Sequence, residues 1–181
     1  MQLGFAPVEQ LTAALDAAAA ARHGKRLLNV RYWCWSQEED YLAIEAPAMD
    51  RDPGSAGYAV ELVFDGSEPL VLRPWHEPRS GDFVLRVDDT SGYRPVWAPI
   101  CANSSAVWAG VVGHVLVAHD IRSFSEGPFN LPVTLVLRFT DTSQQRLVMS
   151  CGDDLVCATE QGLAAKPFFL SDASAPRWAL A

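Results

Sequence analysis

The sequence predicts an α+β fold: a mainly antiparallel sheet built from two similar helix-plus-hairpin units, 1–90 and 91–181, packed as a single compact domain. Three observations predict it. Large apolar residues alternate at Val60, Leu62 and Phe64 and, past a polar turn, at Leu70 and Leu72. The pattern returns at Leu135, Leu137 and Phe139, then at Leu147 and Met149. Period-two alternation broken by a short turn marks a hairpin with one buried face. Each hairpin follows an apolar stripe at helical spacing that stops at a glycine, Gly24 in one half and Gly113 in the other. Hairpin-length connections imply antiparallel pairing.

The first helix is expected over 7–22. Pro7 suits the opening position, where its missing N–H removes no bond. Val8, Leu11, Leu15 and Ala18 form one stripe, the spacing of a buried helix face. Gly24 suits a left-handed cap, with Arg22 and His23 at the negative end of the helix dipole. Residues 26–35 alternate as a strand, with Leu28, Val30, Tyr32 and Cys34 on one face and Asn29, Arg31, Trp33 and Trp35 on the other. A short strand returns over 41–46, and 49–57, rich in Asp, Pro and Gly, reads as a loop. Asp65 and Gly66 turn the first hairpin. A further strand is expected over 83–87, and 88–95 links the halves.

In the second half Trp97, Ile100, Ser104, Val107 and Val111 give a helical stripe. The matching strand is 115–121, and 155–158 parallels 83–87. Gly24 lies 40 positions before Phe64, and Gly113 lies 26 before Phe139. The first unit therefore carries 14 extra residues, placed in 37–57. Past Gly162 the tail is irregular, and Phe168, Phe169, Leu170 and Trp178 are expected to dock on the core.

With 49% hydrophobic residues the chain can bury a sizeable core. The first ten residues lack a basic region followed by an apolar run, so no secretory leader is expected. No run approaches the roughly 18 to 20 apolar residues of a membrane span. The expected location is the cytoplasm, with no membrane partner. Cys34, Cys101, Cys151 and Cys157 form no C-x-x-C pair. They read as reduced, mostly buried thiols, with a Cys151–Cys157 bridge across a tight hairpin as the other option.

The net charge of −8 is concentrated. Residues 37–68 hold nine acids against Arg51 alone. Such a field repels nucleic acid and favours a basic protein partner, speeding encounter with it. The partner-binding candidates are Glu38, Glu39, Asp40, Asp50 and Asp52, with Trp35 as an apolar anchor; a solvated acidic surface is the other reading.

The chain lacks G-x-G-x-x-G, a P-loop, G-x-S-x-G and H-E-x-x-H, the motifs that carry cofactor, phosphate, acyl and zinc chemistry. His114 and His119 are five apart on one strand, so they face opposite ways and cannot share an ion. Asp50, Asp52 and Gly54 lack the later ligands of a calcium loop. No cofactor and no metal is expected. His76 and Glu77 are the best acid–base pair, but neighbours on an extended segment point apart. Trp33 and Trp75, with His76, supply the alternative function, a small-molecule or carbohydrate-binding module that stacks a ligand on indole faces. If the first helix covers that sheet face, the same tryptophans are core.

A helix, a glycine-led strand and the hairpins carried by Gly24, Phe64, Leu70, Leu72, Gly113, Leu135, Phe139 and Leu147 resemble small acidic bacterial proteins of uncharacterised families, some of them immunity proteins of polymorphic-toxin systems. The resemblance implies a catalytically inert protein that binds by shape and charge. The expected function is thus a non-catalytic cytoplasmic binding protein acting through an acidic surface.

Overall fold

Strand accounts for 52% of the structure and helix for 15%, so sheet dominates. The computed structural model describes residues 8–35, 51–88, 97–126 and 129–165. A helix, α1 (Val8–Ala20), leads into β1 (Leu27–Trp35). Four strands follow: β2 (Gly54–Gly57), β3 (Ala59–Phe64), β4 (Leu70–His76) and β5 (Phe83–Asp88). Then come β6 (Trp97–Cys101), β7 (Leu116–Glu126), β8 (Phe129–Phe139), β9 (Arg146–Cys151), β10 (Asp154–Thr159) and a second helix, α2 (Glu160–Ala165).

All ten strands join one curled, half-barrel sheet in the order β5-β4-β3-β1-β2-β10-β9-β8-β7, with β6 paired to β1 off this path. Every pairing is antiparallel except β1 with β2, which runs parallel through Trp33 and Gly57. The predicted fold class is corrected accordingly. Instead of two helix-plus-hairpin units there is one mixed sheet, to which both halves contribute.

The helix expected over 97–111 does not form, because 97–101 is β6, laddered on β1 from Arg31–Cys101 to Trp35–Trp97. Pro99 lies inside the expected helix, where it would remove an i→i−4 bond, but among the described residues β6 pairs only with β1, and a strand laddered on one side tolerates proline. Beyond β6 the chain winds in turns that mix bond types. Trp108 N–H donates to Ser105 O at 3.1 Å and Ala109 N–H to the same oxygen at 3.0 Å. These turns still bury Val107, Trp108 and Val111, the apolar residues that imitated a helical stripe. Part of the loop expected over 49–57 is a strand too, since β2 pairs with β10 at Leu155–Gly57. The segment 41–46, the linker residues past Asp88 up to 95, and Phe168, Phe169, Leu170 and Trp178 lie outside the described residues.

The ladder of β1, β3, β4 and β5 and that of β7, β8, β9 and β10 share a register. Leu27 pairs with Phe64, and Leu116 with Phe139. A bulge follows each pair and turns Leu28 and Val117 outward, 46% and 50% exposed. Leu62 pairs with Leu70, and Leu137 with Arg146. The two ladders meet at the Arg26–Val115 bridge. There Gly24 N–H donates to Leu116 O at 2.9 Å and Gly113 N–H to Leu27 O at 2.8 Å. Both glycines hold φ values an L-residue resists, 77° and 93°.

The main core lies inside the curl. Val60, Leu62, Phe64, Leu135, Leu137 and Phe139 are buried, with Leu15 and Ala19 of α1 against them. Arg22 pins the end of α1 by donating from Nη1 to Ala18 O at 2.8 Å and from Nη2 to Glu68 O, beside the first hairpin turn, at 2.9 Å.

Candidate functional site: an acidic cleft between α1 and β7

Glu9, Thr12, Ala13 and Asp16 sit at helical spacing and share one face of α1. The turn after α1 brings His23 beside them. Opposite stand Ala118, His119, Asp120 and Ile121 of β7, with Asn130 of β8, and the space between is a cleft of about 650 Å³. Leu15 and Ala19 pull the other face of α1 into the core, which holds this polar face outward.

At the centre three side chains from distant parts of the chain form a line. His119 Nε2 is 3.0 Å from Asp16 Oδ1, and His119 Nδ1 is 2.8 Å from His23 Nε2. The two rings lie 4.9 Å apart, tilted by 57°. An ionised carboxylate only accepts, so His119 donates from Nε2 and the neutral ring accepts at Nδ1 from the N–H of His23. Around this line the cleft presents Glu9, Asp16 and Asp120, and among the described residues no Lys or Arg lines it.

The residues singled out from the sequence lie elsewhere. Glu38, Glu39, Asp40 and Asp50 are outside the described residues, and of Trp35 only the backbone in β1 is described. Asp52 is committed internally: Thr159 donates to its carboxylate from the backbone N–H at 2.8 Å and from Oγ1 at 2.5 Å. Trp33 is 6% exposed and donates from Nε1 to Glu61 Oε2 at 2.9 Å. Glu61, itself buried, also takes Arg31 Nη1 at 3.1 Å. Trp75 is half-buried, with the Arg86 guanidinium 4.0 Å and that of Arg73 5.5 Å from its ring centre. The indole faces are thus occupied by protein, through burial at Trp33 and cation stacking at Trp75.

His76 is exposed and packs edge-on against Phe83 at 5.3 Å. Glu77 turns away from it and closes the β4–β5 turn, accepting from Arg79 Nε, Arg79 N–H and Ser80 N–H at 2.8–2.9 Å. Burial opposes ionisation of Glu77, but these donors and the Arg79 charge prevail and hold its pKa below the usual carboxylate value. The pair is therefore a turn clamp with an exposed neighbour.

No protein-family model, curated protein or solved structure matches the chain. Among the described residues no helix is long and apolar enough to cross a membrane. Nor does any group of three or more His, Cys, Asp or Glu side chains there stand ready to hold a metal ion. Cys151 and Cys157 are free thiols: Cys151 pairs across the ladder with Asp154 and Cys157 with Val148, which puts them on different rungs.

Sequence reasoning overlooked the cleft because His23 and His119 are 96 positions apart. The legible signal was the polar stripe Glu9, Thr12, Asp16 and His23, which runs at helical spacing opposite the apolar one. Arg146 was overlooked as well, since nothing local marks a strand-initiating arginine as buried.

Proposed function

We propose that the chain is a non-catalytic binding protein that presents an acidic surface to a basic protein partner, with the α1–β7 cleft as part of that surface. The observation that carries this is the cleft's lining of Glu9, Asp16 and Asp120, with no Lys or Arg beside them among the described residues. An acidic cleft on a rigid sheet attracts a cationic side chain and raises the association rate. The net charge of −8 acts in the same direction. Glu38, Glu39, Asp40 and Asp50 extend the proposal to the acidic segment, and Trp35 is its apolar anchor. Asp52, tied to Thr159, serves there as a fixed negative charge. The free thiols Cys101, Cys151 and Cys157 are consistent with a cytoplasmic setting. An immunity protein that covers a basic toxin surface is the form of this function that the sequence resemblance favours.

The test is association kinetics against ionic strength, with the product of an adjacent toxin gene as partner. The variants are Glu9→Gln/Asp16→Asn/Asp120→Asn and, separately, Glu38→Gln/Glu39→Gln/Asp40→Asn. Slower association at low salt and a flatter salt dependence are expected for the first set. Unchanged rates and slopes in both would reduce the surface to a solubilising one.

A further inference from the structure

A second cleft, of about 600 Å³, opens where β9 and β10 meet α2 and the turns after β6. Arg146 reaches it from a position that the register makes apolar. Its counterpart in the other ladder is Leu70, 0% exposed, whereas Arg146 is a guanidinium only 6% exposed. Burying a cation where a leucine fits is expensive and calls for compensating partners. Nε donates to Val107 O at 2.5 Å and Nη1 to Gln144 O at 2.9 Å. Nη2 donates to nothing among the described residues, and it lies beside Gly110, one of the cleft's lining residues. A methyl group on Gly110 would stand 3.3 Å from it.

Two carboxylates share the cleft. Asp52 is close enough for its charge to favour the protonated guanidinium, opposing the burial that lowers the pKa of Arg146. Yet no ion pair joins them. Asp141 stands exposed at the rim, at a φ of 57°. Each Asp52 oxygen takes one hydrogen bond from Thr159 and keeps a lone pair to offer. The cleft therefore holds an unspent cationic donor edge and carboxylate acceptors that do not satisfy one another. A plain anion would be repelled by the carboxylates, and a plain cation by Arg146.

We infer that this cleft binds a small zwitterion, a free α-amino acid being the simplest, with its carboxylate on Arg146 Nη2 and its ammonium on Asp52 and Asp141. Ala106, with its small side chain, leaves room for the ligand's backbone, while Ser143 and Gln161 offer polar contacts to its side chain.

The experiment is a two-dimensional NMR titration of the full chain with each of the twenty α-amino acids at millimolar concentration. The N-acetyl and carboxamide derivatives of the best one form two further arms. Saturable shifts confined to Gly110, Arg146, Thr159 and Gly162 are expected for at least one amino acid, with affinity lost at least tenfold on blocking either end. Arg146→Leu, which restores the residue type of Leu70, should lose binding at least tenfold. Gly110→Ala keeps both carbonyl bonds of Arg146, crowds Nη2 and should weaken binding as well, so the inference stays testable if Arg146→Leu fails to fold. No shift with any amino acid, equal binding of the blocked derivatives, or full binding by Gly110→Ala would overturn it.

Discussion

Trp108 donates its indole N–H to the Tyr32 hydroxyl at 2.7 Å, inside the core, and so ties the turns after β6 to the middle of β1. Both side chains are fully buried. Tyr32→Phe removes the acceptor and strands a buried donor, which costs about 1–3 kcal/mol. Urea denaturation should show that loss with an unchanged m-value. Burial holds the Tyr32 phenol well above the usual 10, and the nearby Cys157 adds to the shift, with the hydrogen bond from Trp108 acting against it. Absorbance titration should therefore find one tyrosine that ionises only as the protein unfolds.

Phe64 and Phe139 end the two central strands at matching positions, each paired with the first leucine of its neighbour and each buried. Truncating either to Ala should cost about 3–5 kcal/mol, because the curled sheet cannot collapse into the space left. The two losses should agree to within about 1 kcal/mol. Thermal unfolding of the two variants checks this, and a loss well below that range at one site would mean that the core there is loosely packed.

The hairpins were legible because their alternation is local, and Phe64 and Phe139 fall where the period-two pattern puts them; but β8 and β9 are buried on both faces, and the register puts Val148 in the main core and Leu147 and Met149 in a separate cluster. Parity groups Leu28 with Val30 and Tyr32, yet Leu28 faces outward while those two are buried, since a bulge inserts one residue and no periodicity registers that. Trp97, Ile100 and Val107 fit a helical template, but Pro99 and the pairing partner β1, 70 positions earlier at Arg31–Cys101, decided for strand. Long-range pairing also hid the parallel β1–β2 contact and the closure of two halves into one sheet. The acidic segment was legible as composition, but two of its members, Glu61 and Asp52, also accept hydrogen bonds inside the fold, from Trp33 and Thr159. The cleft with His23 and His119 exists only after folding, because its walls come from α1 and β7.

Asp52 and Gly162 make a coupled pair. The Asp52 carboxylate holds both donors of Thr159 across 107 positions of sequence, and a Cβ on Gly162 would fall 2.0 Å from Asp52 Oδ1. Asp52→Ala leaves two donors unmet and should cost about 1–3 kcal/mol. Gly162→Ala should be destabilising through the collision. Removing the carboxylate also removes the collision, so the double variant should lose less than the two single losses combined. A double-mutant cycle by urea denaturation reads this directly, and additivity would mean that α2 shifts to accommodate the methyl group.

The thiols of β9 and β10 set an alkaline limit on stability. Burial pushes Cys157, deep in the core, from the usual 9.0 up to about 12, with the neighbouring polar groups of Tyr32 and Trp108 acting against the shift. Burial pushes Cys151 up to about 12 as well, and the charge of Asp154 adds to it. In the unfolded chain these thiols lose their protons near 9, whereas in the folded chain they keep them until about 12. Between those values the unfolded state binds fewer protons, so stability falls as pH rises. The contribution is intact below about 9 and is lost progressively toward about 12, at up to about 1.4 kcal/mol per pH unit for each thiol. Urea denaturation from pH 8 to 11 should show the decline steepening above pH 9. Cys157→Ala, which lowers stability at neutral pH through the lost packing, should flatten that slope by up to half, whereas Cys101→Ala, at an exposed thiol, should leave it unchanged. An identical slope in Cys157→Ala would mean that Cys157 ionises inside the folded protein as readily as in water.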